Sequence, residues 1–239
     1  MPDTSLPESA PGYLAMPARK HPDGPPETFP GVVVVHDVFG MTPDLRRQAD
    51  RLASNGYIAL APDLWHGKAW PRCVRSAIRQ VMAGSGPVFE EIDAAAAWLA
   101  GLDACTGKIG VVGFCVGGGF ALLSAPRPGF SAASVNYAPV PQDVGAMLDG
   151  ACPIVASYGG KDRSTRTDLP RLEKALDELN VPHDIKVYPA ANHAFMNDHS
   201  GVARVVQKVT GMNYEHEETG DAWRRIFAFF AQYLIEPVG

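Results

Sequence analysis

The chain is poor in cysteine, with only four in 239 residues, at positions 73, 105, 115 and 152 and without C-x-x-C spacing. That count and spacing argue against a cysteine-ligated zinc site and against a disulfide framework. No apolar run approaches the roughly 18 residues needed to span a bilayer. Nor is there a basic excess, since the net charge is −5. Neither nucleic acid nor an anionic membrane is therefore expected as a partner. The opening "MPDTSLPESAPGYLAMP" has no basic flank and no apolar centre, so no secretory leader is expected. The expected compartment is the cytoplasm, where thiols stay reduced. Composition shifts, linkers and repeats are missing as well. Residues 1–239 are accordingly read as one domain, with a loosely ordered start over 1–11.

What is present is alternation. "GVVVVHD" (31–37) is a β-branched apolar run suited to a strand buried on both faces. A helix is expected next, capped by Thr42 with Pro43 in its first turn and stopped at Asn55-Gly56. "YIALAPD" predicts a strand, residues 87–102 an alanine-rich helix, "IGVVGF" a strand, and residues 116–124 a glycine-rich helix. Then come strands at "ASVNYA" and "PIVASYG", a helix at "LPRLEKALDELN", a strand at "HDIKVYP" and a closing amphipathic helix at "DAWRRIFAFFAQYL". Strands alternating with helices predict an α/β fold, a mostly parallel central sheet with helices on both faces. Residues 66–86 and 198–218 are assigned no element.

Three polar residues stand directly after predicted strands, where sites on such sheets collect. Cys115 lies in "GFCVGG", Asp162 in "SYGGKD" and His193 in "PAANHAF". The first segment is a G-x-S-x-G nucleophile turn with sulfur in place of oxygen. Nucleophile, acid, histidine is the chain order of the α/β-hydrolase fold. The residue types suit acyl transfer. A free thiol is only a few per cent thiolate near neutral pH, so it needs a base, which His193 can provide. Asp162 can fix the tautomer of that imidazole. The N–H groups of Val116 and Val38 are the candidate donors to a developing oxyanion.

With these segments in place the sequence resembles the dienelactone hydrolase family, a cysteine-using branch of the α/β-hydrolases. The likeness rests on "VVVVHDVFGMTPDLRRQADRLASNGYIALAPDL", "GKIGVVGFCVGGGFAL", "YGGKD" and "NHAFMN", and spans roughly residues 12–235. It implies a catalytic triad of Cys115, His193 and Asp162. It also implies hydrolysis of small esters or lactones through a thioester acyl-enzyme, with no metal and no organic cofactor. Two positions depart from the family pattern. Asp37 stands where the family has a glutamate that holds and then deprotonates the cysteine, so an accessory role for Asp37 is implied. Asn197 replaces an arginine that grips the substrate carboxylate, and a single amide cannot form that bidentate charged pair. Arg72, Arg75 and Arg79 lie in the segment that could supply another cation; solvated surface positions are expected for them.

An apolar pocket is expected beside the strand ends, with Phe39, Trp65, Phe114, Tyr137 and Phe195 as candidate lining residues and Asn197 as a polar contact. Core packing is the competing reading for each aromatic. Cys73, Cys105 and Cys152 are read as packing residues, His36 as a buried structural residue, and His216 as part of a solvated charged loop rather than a metal ligand. Two other functions stay open: a thioesterase or acyl transferase using the same triad, and a ligand-binding relative without catalysis. Oligomeric state is not legible.

Overall fold

Strands form where β-branched residues run together, and the computed structural model, which describes residues 3–5, 11–18, 27–66 and 70–235, places eight of them in one sheet. They are β1 (Asp3–Ser5), β2 (Pro11–Ala15), β3 (Phe29–Val35), β4 (Ile58–Pro62), β5 (Cys105–Phe114), β6 (Phe130–Asn136), β7 (Ile154–Gly159) and β8 (His183–Tyr188). The order across the sheet is β1-β2-β4-β3-β5-β6-β7-β8. Pairing is parallel from β4 through β8, and antiparallel only where β1 meets β2 and β2 meets β4. This is the architecture of the α/β-hydrolase fold.

Eight helices among the described residues lie between and after the strands: α1 (Pro43–Ser54), α2 (Trp70–Ala83), α3 (Pro87–Ala100), α4 (Val116–Ser124), α5 (Val144–Met147), α6 (Arg163–Glu178), α7 (Gly201–Thr210) and α8 (His216–Leu234). The period-2 pattern of β3 sorts its valines between two layers. Val33 and Val35 join a core formed with α2, α3, α4 and α6, whereas Val32 and Val34 join one formed with α1 and α8. All four are fully buried, which is why the run carries no polar alternation.

The structure moves several of the expected boundaries. The first strand ends at Val35, so His36 and Asp37 belong to the following turn. Residues 66–86 contain α2, whose Ala77 and Val81 pack into the core. The 198–218 segment contains α7, whose exposed Val202, Val205 and Val209 hid its helical character from a burial-based reading. The "EHEE" stretch is no loop. It opens α8, with Glu217 and Glu218 in the first turn, where the helix dipole favours anions. At the start of the chain Asp3–Ser5 pairs with β2; residues 1–2 and 6–10, also covered by the expectation for 1–11, lie outside the described residues. No helix among the described residues is long and apolar enough to cross a membrane.

Candidate active site

Cys115 occupies the single residue between β5 and α4, at φ 55° and ψ −122°. A side chain in that region costs of order 1–3 kcal/mol and persists only where the surroundings enforce it. Here they do. The Cys115 N–H donates to the Asn136 carbonyl at 3.1 Å, and Gly119 N–H returns to the Cys115 carbonyl at 3.3 Å. The flanking glycines make the turn possible. A Cβ on Gly113 would sit 2.0 Å from the Gly117 carbonyl oxygen, and one on Gly117 would sit 2.4 Å from that of His36. The strand, the turn and the first helical turn are thus in backbone contact.

Asp162 follows β7 and His193 follows β8, and the two loops are tied together. Gly160 N–H donates to Tyr188 carbonyl at 2.8 Å and Lys161 N–H to Ala191 carbonyl at 2.9 Å. Gly159 permits this approach, since a Cβ there would meet the Asn192 carbonyl oxygen at 2.4 Å. Asn192 in turn braces the histidine, accepting its N–H at 2.9 Å and donating to Gly211 carbonyl at 2.9 Å.

The structure brings the three residues together. His193 Nδ1 lies 2.6 Å from Asp162 Oδ2, and His193 Nε2 lies 3.1 Å from Cys115 Sγ. Burial alone would lower the His193 pKa, but its neighbours Cys115 and Asp162 overcome it and raise it to about 10. Burial likewise works against the Asp162 charge. Bonds from His193 and from Ser164 outweigh that effect and hold its carboxyl down to about 2. A neutral carboxylic acid there would be unable to stabilise an imidazolium.

The oxyanion candidates lie in the two turns that follow β3 and β5. Val116 is the first residue of α4, and Val38 lies in the turn after β3. Among the described residues neither N–H meets an acceptor.

The other expected residues separate into two groups. Phe39 is half-buried, whereas Phe114, Tyr137 and Phe195 are at most 1% exposed and Trp65 is 6% exposed. Those three form an aromatic wall behind the histidine. Tyr137 lies edge-on to His193 at 5.2 Å and to Phe195 at 5.5 Å, and Phe114 lies 6.4 Å from Tyr137. Trp65 donates its indole N–H to the Val38 carbonyl at 3.1 Å. Asn197 is buried and occupied at both ends, accepting from Tyr137 Oη at 2.5 Å and donating to Asp44 Oδ2 at 2.9 Å. Arg75 and Arg79 are exposed on α2; the side chain of Arg72 lies outside the described residues.

Asp37 does not reach the sulfur through either oxygen. Oδ1 accepts from Phe39 N–H at 2.8 Å and Oδ2 lies 2.7 Å from His199 Nε2. His199 escaped the sequence reading, as did Asp44, Gln48 and Gln207, which complete the buried network around Asn197. His199 falls in the 198–218 segment, where no element framed it. The cue for Asp44 was available: it is a carboxylate on the inward face of α1, next to Leu45 and one turn before Gln48. Cys73, Cys105 and Cys152 are free and half-buried, and burial pushes the Cys152 thiol up to about 12. His216 is exposed at the start of α8, and no group of three potential ligands gathers to hold a metal among the described residues.

Comparison with known proteins agrees with this architecture. A family model for the dienelactone hydrolase family matches residues 12–234. Two proteins carrying the name "Putative carboxymethylenebutenolidase" align along most of their length. The one from Escherichia coli K12 is 30% identical over 252 residues, covering 96% of this chain and 86% of its own. The one from Yersinia pestis is 28% identical over 259 residues, covering 99% and 90%. The crystal structure of a "Putative Dienelactone Hydrolase" from Klebsiella pneumoniae superposes with a TM-score of 0.79 at 29% identity, covering 97% of this chain and 98% of that one.

Proposed function

Because the chain belongs to the dienelactone hydrolase family, and so is a hydrolase, we propose that it cleaves small carboxylic esters or lactones with Cys115 as nucleophile, His193 as base and acid, and Asp162 as the residue that orients the imidazole. One observation carries this reading. The two ring nitrogens of His193 face the sulfur and the carboxylate at 3.1 and 2.6 Å, the arrangement in which one imidazole takes a proton and the other side holds the resulting charge.

His193 accepts the thiol proton and the sulfur attacks the carbonyl carbon. The oxygen of that carbonyl gains the electron pair and rests on the N–H groups of Val38 and Val116. Collapse of the adduct re-forms the carbonyl and breaks the C–O bond, the leaving alkoxide taking the proton from His193. Water then gives a proton to His193 and attacks the thioester. The second collapse frees the acid and returns the proton to sulfur. No metal or cofactor enters these steps. A reducing compartment keeps a thiol nucleophile free, and the cytoplasm is the proposed setting.

Uncharged acyl groups fit this site better than anionic ones. Asn197 has both polar ends engaged, with the Asp44 carboxylate directly behind it. Phe39, half-buried at the rim, is the proposed apolar contact. The test is Cys115→Ala assayed on p-nitrophenyl esters and lactones: turnover should vanish while the melting temperature stays near that of the wild type. Undiminished turnover would refute the triad. Adding an alcohol should leave the free acid as product, since an acyl transferase would form a new ester.

A further inference from the structure

The turn from Asp37 to Gly40 joins β3 to α1 and carries the Val38 N–H. Side chains grip it at successive peptide groups. Leu64 N–H donates to His36 Nε2 at 3.2 Å, so that nitrogen is bare and the ring proton resides on Nδ1. Nδ1–H then donates to the Asp37 carbonyl at 2.8 Å. Burial lowers the His36 pKa, which keeps this neutral tautomer in place. Carbonyl and N–H point in opposite directions across a planar trans peptide, and no described peptide bond is cis. Fixing the Asp37 carbonyl therefore aims the Val38 N–H the other way.

The next peptide group is held at both ends. The Trp65 indole takes the Val38 carbonyl, and the Asp37 carboxylate takes the Phe39 N–H. That carboxylate cannot swing away, because His199 Nε2–H binds its second oxygen at 2.7 Å and both side chains are buried. The Phe39 ring closes over the pair, edge-on to His199 at 4.9 Å.

We propose that His36 and His199 are positioning residues that hold the Asp37–Gly40 turn so that the Val38 N–H is presented to the oxyanion. Asp37 is on this view the connecting piece of a clamp, not the base for the thiol. The inference rests on the triad mechanism above, and its test separates the two. Ester hydrolysis needs the oxyanion donors. Alkylation of Cys115 by iodoacetamide does not: the sulfur displaces iodide, one C–S bond forms as one C–I bond breaks, and no carbonyl oxygen gains charge.

His36→Leu and His199→Leu should lower kcat on a p-nitrophenyl ester by about 10- to 100-fold, the scale set by displacing one oxyanion donor. KM and the rate of Cys115 alkylation should stay at wild-type values. His36→Asn, which keeps a donor at the δ position, and His199→Gln, which keeps one near the ε position, should recover part of the lost kcat. If His36→Leu fails to fold, Trp65→Phe and His199→Leu carry the same comparison. Alkylation falling in step with kcat would overturn the proposal, since the histidines would then act through the thiol. So would unchanged kcat, or folded Asn and Gln variants as slow as the leucine ones. The Cys115→Ala variant keeps the readings apart. If it is inactive while the leucine variants are fully active, only the clamp falls; if it retains turnover, the triad falls first.

Discussion

Asp162 serves two structures with its two oxygens, holding His193 Nδ1 through Oδ2 at 2.6 Å while Oδ1 caps its own helix, accepting Ser164 N–H at 3.0 Å and Ser164 Oγ–H at 2.7 Å. Asparagine separates the roles. Its carbonyl oxygen can still cap α6, and asparagine is as good a cap as aspartate. Its amide N–H, however, would face Nδ1 and drive the ring proton to Nε2, leaving no base beside the sulfur. Asp162→Asn should therefore lower kcat by about 10³- to 10⁴-fold while keeping the helix cap. Asp162→Ala should lose the same activity and, with the cap gone, about 1 kcal/mol of stability beyond what Asp162→Asn loses.

The same pair sets a pH window for stability. Asp162 is held near 2, below its unfolded value of about 4, so its contribution is complete above about pH 4 and is lost as pH falls toward 2. His193 is raised to about 10 from an ordinary 6.5, so its contribution is complete below about pH 6.5 and is lost as pH rises toward 10. Together they are fully expressed between about pH 4 and 6.5. Thermal melts of wild type against Asp162→Asn across this range should differ most inside that window and converge below about pH 3. A difference that kept growing into acid would contradict the assigned direction.

The fold was legible because its signals are local. Val32 to Val35 announce a strand buried on both faces, and Thr42, Pro43 and Asn55 mark the two ends of α1 where the structure has them. Cys115, Asp162 and His193 could be found because each follows a strand, and a parallel sheet delivers those ends to one edge. What stayed hidden depends on side chains meeting across the sequence. Asp37 and His199 are separated by 162 positions, and Asn197 and Asp44 by 153. Nothing in either local pattern distinguishes a carboxylate bound to a histidine from one in solvent. The aromatic pocket was overcounted for a related reason: proximity to a strand end places Phe114 and Phe195 near the site, but which side of the backbone they occupy is decided by packing, and both are in the core.

The glycines around the sulfur should tolerate nothing larger. A Cβ on Gly117 would lie 2.4 and 2.5 Å from two backbone carbonyl oxygens, of His36 and Val35, and backbone cannot step aside as a flexible side chain can. Gly117→Ala should thus push α4 off β3, destabilising the protein by about 1–3 kcal/mol or more and abolishing activity. Gly145 is the contrast. Its nearest neighbour would be Ala175 Cβ at 3.8 Å, an ordinary contact, within helix α5. Gly145→Ala should leave activity intact and shift stability upward by roughly 0.5–1 kcal/mol. Urea unfolding of the two variants checks both signs.

Tyr137 and Asn197 provide the most demanding test of the buried network behind the histidine. Tyr137 Oη–H donates to Asn197 Oδ1 at 2.5 Å, and Asn197 passes the link to Asp44 at 2.9 Å, all three side chains being buried. Tyr137→Phe leaves an amide oxygen without its donor, a loss worth about 1–3 kcal/mol. Asn197→Ala strands the phenol, leaves Asp44 Oδ2 with only a long 3.5 Å bond from Gln48, and adds a cavity, so it should cost more. In the double variant the phenol and the amide are both gone, and the penalty for an unpaired partner is not charged twice. Measured by urea unfolding, the double variant should therefore fall short of the sum of the single effects by about 0.5–3 kcal/mol. Because Tyr137 also packs edge-on against His193, Tyr137→Phe should retain the ring contact and most of kcat, whereas Tyr137→Ala should free the imidazole and lose it. Additive stabilities would mean that the short contact between phenol and amide contributes nothing, and that the aromatic wall alone holds His193 in line.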